Sequence, residues 1–149
     1  MSDVTFESYD QRVAQRLVAA HDQDEGLPGW LGVHLADVSP GCVQAVMAVR
    51  RELLTPFGNL HGGVLAALCD HVLGIVCYPV IPRGAWAATT EFKLNYLAPV
   101  TGGELAATAR IVALSKRTAV VRIEVANDGR TVCAAQGTVL VMPPKPEAR

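Results

Sequence analysis

The run Gly58-Asn59-Leu60-His61-Gly62-Gly63-Val64-Leu65-Ala66-Ala67-Leu68-Cys69-Asp70-His71 opens the most apolar part of the chain. Drawn as a helix, Gly62–Val80 is apolar nearly all round, the pattern of a helix surrounded by protein. The whole apolar run, residues 62–82, approaches membrane-span length, but Asp70, His71, two early glycines and prolines at 79 and 82 favour a buried core helix. Two glycines at a helix start allow close backbone approach. Their N–H groups have no intrahelical acceptor and can donate to an oxyanion at the positive end of the helix dipole. Asp70 is the only carboxylate of the run, where an unpaired charge would be expensive. It either ties down a neighbouring loop, sits at an exposed helix end, or does chemistry, and the preceding His-Gly-Gly favours chemistry.

Outward from this helix, the pattern is that of one domain spanning 1–149. On the N-terminal side, residues 8–20 place Val13, Leu17 and Val18 at helical spacing among polar residues, which predicts a short amphipathic surface helix. The acidic stretch 22–28 ends in Gly-Leu-Pro-Gly, read as a breaker cluster that delivers Trp30 and Leu31 to a strand, so that 1–28 form a helix and linker. Two β-prone runs, 33–38 and 42–49, flank Ser39-Pro40-Gly41 and predict a hairpin. Arg50 and Arg51 then read as a solvated strand end.

Everything after Ala85 reads as sheet. Thr90, Phe92, Leu94 and Tyr96 alternate with polar residues, and so do Leu105, Ala107, Ala109 and Ile111, then Val121, Ile123 and Val125. Asn127-Asp128-Gly129 signals a hairpin into 130–141, Pro143-Pro144 ends the last strand, and 145–149 are expected to fray. The expected order is a peripheral helix, a hairpin, one central apolar helix and a long antiparallel meander. That is an α+β architecture in which a curved sheet wraps the helix and leaves part of it for a partner subunit.

Composition narrows the partners. The 149 residues are 50% hydrophobic and 18% charged, enough for one packed core. Thirteen Lys+Arg against fourteen Asp+Glu give a net charge of −1, which argues against nucleic acid as a ligand. Cys42, Cys69, Cys77 and Cys133 form no CxxC pair and read as small buried hydrophobes in a reducing compartment. With an N-terminus mixing acids, bases and polar residues rather than a signal peptide, the expected location is the cytoplasm. Among His61, Asp70, His71 and the cysteines no pair shows the His-x3-His or CxxC spacing that converges ligands on one ion, so neither a metal nor another cofactor is expected.

Gly62 and Asp70 are eight residues apart, about 12 Å along a helix axis, so they cannot both touch one carbonyl. A second chain must supply one of them, which puts the site at a dimer interface. His71 points about 100° away from Asp70 and reads as a packed or partner-facing histidine. His61 stays among the catalytic candidates, although fixing the loop that enters the helix is its simpler role. Cys69, Cys77 and Ser115 lack triad context and read as packing or loop residues. The turn Leu114-Ser115-Lys116-Arg117-Thr118 offers two adjacent cations for phosphates, and Arg83 offers a third.

The sequence resembles the PaaI-like family of hotdog-fold acyl-CoA thioesterases from about Trp30 to Val141. The resemblance rests on Gly58-x-x-His61-Gly62-Gly63 followed by Asp70, on Thr89-x-Glu91-Phe92-Lys93-Leu94-Asn95-Tyr96-Leu97-Ala98-Pro99, and on Gly102-Gly103-Glu104-Leu105. It implies a long helix wrapped by an antiparallel sheet, dimers or pairs of dimers, and metal-free hydrolysis of a CoA thioester. On the matching positions it makes Asp70 the catalytic carboxylate, Gly62 the oxyanion donor and Thr89 the hydroxyl that positions water. Gly63 and Asn59 join as substrate-binding candidates, and the Ser115-Lys116-Arg117 loop is implied to lie near pantetheine and nucleotide. Many relatives carry Asn or Gln six residues before the His, where this chain has Thr55, a shorter hydrogen-bonding group.

The carboxylate can activate water or attack the thioester to give a mixed anhydride, and the sequence leaves both open. Leu65, Leu68, Val72, Phe92 and Leu94 line an acyl tunnel or are ordinary core. The competing functional readings are a non-catalytic acyl-CoA or fatty-acyl binding module and a thioester hydratase or dehydratase. Retention of Asp70 argues against the first, and the lack of a second acid/base pair against the second.

Overall fold

The computed structural model describes residues 4–23 and 25–144; the tail 145–149 lies outside the described residues. Helix α1 (Gln11–His21) begins where the Asp10 side chain accepts from the Arg12 and Val13 N–H groups. It lies over strand β1 (Val33–Ser39), to which Tyr9 is tied by its hydroxyl donating to the Val38 carbonyl at 2.9 Å. Between them, Gly26–Leu31 form a short helix, α2, where the sequence reading has a linker. Gly32, with φ of 77°, ends it. The breaker residues mislead because Pro28 falls in the first turn of a helix, where its missing N–H costs nothing.

Strands β1 and β2 (Cys42–Ala48) form the expected hairpin around Pro40-Gly41. Helix α3 spans Gly62–Ile75, shorter than expected, because the chain tightens into a 3₁₀ turn at Tyr78–Val80 around Pro79, which cannot donate to an α-helical ladder. Strands β3 (Trp86–Tyr96), β4 (Glu104–Leu114), β5 (Thr118–Asn127) and β6 (Arg130–Met142) complete a six-stranded antiparallel sheet of order β1-β2-β4-β5-β6-β3. The turn between β5 and β6 is Asp128-Gly129, both at positive φ (48° and 84°) as a two-residue hairpin requires. The meander is therefore only β4-β5-β6. Strand β3 crosses to the far side of β6 and forms an edge, a placement that alternation within a strand does not encode.

The core lies between one side of α3 and the inner face of the sheet. Leu68, Cys69, Val72 and Leu73 of α3 are wholly buried against Leu105, Val121, Val125 and Val139 of the strands. Each such aliphatic side chain contributes about 1.5–3 kcal/mol. Leu68 and Val72 are thus core and line no tunnel, and Phe92 and Leu94 pack against the same core. On the opposite side of α3, Gly63 is exposed and Ala66 and Gly74 are only partly covered, while Ala67 and Asp70 face α2. The helix is buried on one side, not all round.

Candidate active site

His61 caps α3: its Nδ1 accepts from the Gly63 N–H at 2.9 Å, and its carbonyl accepts from Val64 at 2.9 Å. The N–H of Gly62 has no acceptor among the described residues and is the donor left for an outside group. The loop before it is held by short backbone bonds: Thr55 N–H to the Asn59 carbonyl at 2.6 Å, His61 N–H to Leu53 at 2.9 Å, and Leu60 N–H to Val100 at 2.7 Å. The Thr55 hydroxyl accepts from the Phe57 N–H at 3.3 Å, so it serves the turn. Tyr96 at the end of β3 donates its hydroxyl to the Gly62 carbonyl at 3.0 Å. A Cβ at Gly62 would meet that phenol at 3.0 Å, which is why glycine suits the position. A cavity of about 370 Å³ opens here, bordered by Asn59, Gly62, Leu65, Tyr96 and Leu97. Phe57, Tyr96 and Leu97 stand exposed around the helix start.

Asp70 belongs to a different cavity, of about 360 Å³, on the side of α3 facing α2 and β1. Its carboxylate is exposed, while its neighbours Cys69 and Val72 are fully buried. His71 shares the cavity and is tied by its Nε2 to Nε2 of buried His21 at 2.6 Å, while His21 Nδ1 donates to the Leu17 carbonyl at 2.6 Å. Burial first, and the nearby His21 second, push the His71 imidazole down to about 4, against the opposing pull of Asp70. His71 is therefore neutral near pH 7 and packed, as its position in the sequence suggests.

The remaining candidates are dispersed. Thr89 is exposed on β3 opposite buried Val139, hence on the inner side of the edge strand. A bulge at Thr90 restores the inward alternation at Phe92, Leu94 and Tyr96. The Ser115 hydroxyl accepts from the Arg117 and Thr118 N–H groups, closing its own turn and leaving Lys116 and Arg117 at an exposed tip. That tip adjoins Val141, which pairs with Ala87, so it sits at the Trp86 end of β3. Tyr96 and Gly62 are at the other end, about 30 Å away at the rise of an extended strand. Arg83 borders a third cavity, of about 620 Å³, with the start of α1. Burial pushes the Cys77 thiol up to about 12, and the hydrogen bond with Cys133 followed by burial raises that of Cys69, so neither is a ready nucleophile.

Sequence reasoning missed Arg50. It is no solvated strand end: its guanidinium donates to the Trp30 carbonyl at 2.7 Å and the Leu31 carbonyl at 3.2 Å, and lies over the Trp30 ring at 5.5 Å. It clamps the end of α2, which roofs the Asp70 cavity. A cation directly after a strand-forming run carries no signal that it caps a helix twenty residues earlier.

A six-stranded antiparallel sheet packed on one central helix is the architecture of a hotdog-fold protein. Residues 57–134, a little over half of the chain, match the thioesterase superfamily, and the protein belongs to that superfamily. It is 28% identical over 117 residues to the 1,4-dihydroxy-2-naphthoyl-CoA hydrolase of Listeria monocytogenes, covering 78% of this chain and 95% of that one. A thioesterase of Pseudomonas aeruginosa, solved as a mutant, superposes with a TM-score of 0.79 at 26% identity, over 87% of this chain and 94% of that one. The PaaI protein of the Escherichia coli phenylacetic acid degradation operon shares the fold, with a TM-score of 0.81 at 24% identity over 93% and 99% of the two chains.

Proposed function

We propose that the protein hydrolyses an acyl-CoA thioester to the free acid and CoA as a homodimer, with Asp70 of one chain facing the Gly62 N–H of the other. The observation that carries this reading is the separation of the two groups: they lie on one helix, about 12 Å apart along its axis, and border different cavities. Each chain supplies two half-sites and completes neither. The exposed edge β3, eleven residues long, and the partly covered strip of α3 at Gly63, Ala66 and Gly74 supply the surface for a second copy.

In that dimer the thioester oxygen takes the Gly62 N–H, aided by the positive end of α3. The Asp70 carboxylate either takes a proton from the attacking water or attacks the carbonyl itself. In the second case the CoA thiolate leaves and water then opens the mixed anhydride. Thr89 positions the water, and His61 acts through Gly63 by fixing the first turn. Asn59 and Gly63 border the thioester, and Thr55 holds the loop rather than the substrate. Ser115 shapes the tip from which Lys116 and Arg117 reach the CoA phosphates from the partner chain, since within one chain they are about 30 Å from Gly62. Arg83, with its own cavity, is the weakest phosphate ligand of the set. Water is the only co-substrate, and the scheme calls on no metal.

Mixed dimers test the reading. Asp70→Asn and Gly62→Pro are each expected to lose at least about a hundredfold in kcat. Co-expressed with different tags, they should form heterodimers with one intact site out of two and recover about half of the wild-type rate per purified heterodimer. Recovery of nothing, with the heterodimer demonstrably formed, would place both groups in one chain's site and overturn the proposal.

A further inference from the structure

The cavity that holds Asp70 has a floor and a roof that no catalytic step needs. Ala67, one turn before Asp70 and His71, is the floor; Val33 closes one side; Leu27, Pro28 and Leu31 of α2 form the roof. Apart from Asp70 and His71, every lining residue is apolar, and none is a cation that would hold a phosphate. At about 360 Å³ the space is at the small end of ligand pockets, which run from about 300 to 1,000 Å³. The roof is unevenly held. Its C-terminal end is clamped by Arg50 on the Trp30 and Leu31 carbonyls, whereas its N-cap, Glu25, makes no side-chain cap and Leu27 is 60% exposed. Glycines at positive φ stand at both ends, Gly26 (66°) and Gly32 (77°).

From this arrangement we infer that α2 is the selectivity element of the enzyme: the cavity under it takes the apolar acyl group, and Leu27 above and Ala67 below set how large that group can be. The inference rests on the proposed hydrolysis only in placing the thioester carbon at Asp70. The acyl group enters past the carboxylate with the CoA portion left outside, because an uncharged wall tolerates hydrocarbon and rejects phosphate. A compact acyl group, a short aliphatic chain or a single aromatic ring, fits the unaltered cavity. Longer chains require Leu27 to yield, and Arg50 keeps the other end of α2 from following.

Binding of non-hydrolysable S-alkyl-CoA thioethers (ethyl, butyl, octyl and benzyl), measured by calorimetry, tests this without depending on turnover. Ala67→Leu is expected to weaken octyl- and benzyl-CoA at least about tenfold while ethyl-CoA stays within about twofold. Leu27→Ala should shift the preferred alkyl group to a longer one, and because Leu27 is largely exposed this variant folds even if Ala67→Leu does not. An unchanged ranking in Leu27→Ala overturns the inference, as does equal weakening of all four ligands in Ala67→Leu, the result expected if a second copy of the chain filled the cavity. Loss of hydrolysis in Asp70→Asn alongside an unchanged ranking would leave the hydrolase reading standing and remove only the role of α2. A shifted ranking with Asp70→Asn fully active would do the reverse.

Discussion

His71 and His21 are joined Nε2 to Nε2 at 2.6 Å, linking the helix that carries Asp70 to the C-terminal end of α1. A carbonyl can only accept, so the bond from His21 Nδ1 to Leu17 makes His21 Nε2 the acceptor in the neutral pair, and His71 Nε2 the donor. With the folded His71 pushed down to about 4, the unfolded chain binds more protons between that pH and its ordinary value near 6.5. Stability is therefore full above about pH 6.5, falls as pH drops, and levels off below about 4. The melting temperature of the wild type should fall by several degrees from pH 7 to pH 5, and that fall should be smaller in His71→Asn. Equal slopes in thermal melts of the two proteins would show that the pair does not govern it.

The Gly62 N–H can be removed with little harm to the helix, because proline is accepted at a first helical position and His61 already has the extended backbone that precedes proline (φ −64°, ψ 131°). Gly62→Ala adds the same crowding against Tyr96 but keeps the N–H. Gly62→Pro is expected to lose about 10²–10³ in kcat and Gly62→Ala much less. Steady-state kinetics of the pair separates the donor from the space.

His61 as a cap makes a different forecast. His61→Ala should lower stability by about 1 kcal/mol, and His61→Asn, which can still accept from the first turn, should restore most of it. Activity tracking stability across the two variants in urea titrations and rate assays is the signature of a cap; a His61→Asn protein that is stable but inactive would give the imidazole a chemical part.

Gly137 on β6 lies opposite Phe92, and a Cβ there would meet Phe92 Cβ at 2.5 Å and the Glu91 carbonyl at 2.7 Å. Because backbone and a branch-point carbon cannot swing aside, Gly137→Ala should cost about 1–3 kcal/mol in a denaturant titration.

At the tip of β4 and β5, replacing Lys116 and Arg117 together by alanine should raise KM for acyl-CoA about tenfold with kcat within about twofold, and the effect should shrink in high salt. An acyl-pantetheine substrate, lacking the nucleotide phosphates, should show no change; the same loss with both substrates would assign the tip to folding.

Much of the molecule is readable residue by residue. Strand alternation, the turns at Pro40-Gly41 and Asp128-Gly129, and the His-Gly-Gly entry into α3 each depend on chemistry within a few residues. So does the eight-residue separation of Gly62 and Asp70, about 12 Å of helix, from which the proposed two-chain site follows. What escaped was nonlocal. Helix α2 hides in a run of Gly and Pro because its stability comes from Arg50, nineteen or twenty residues away, and from the surface of α3 and β1 beneath it.

The sequence by itself determined the element types, the apolar helix, the candidate carboxylate and donor, and their spacing along that helix, since each follows from local periodicity, backbone chemistry and helical rise. Only the tertiary structure decided that β3 pairs with β6 at an edge, that His21 reaches His71, and that Asp70 opens into a cavity roofed by α2. Strand order and cavities arise from which distant surfaces meet, and that depends on the packing of the whole core.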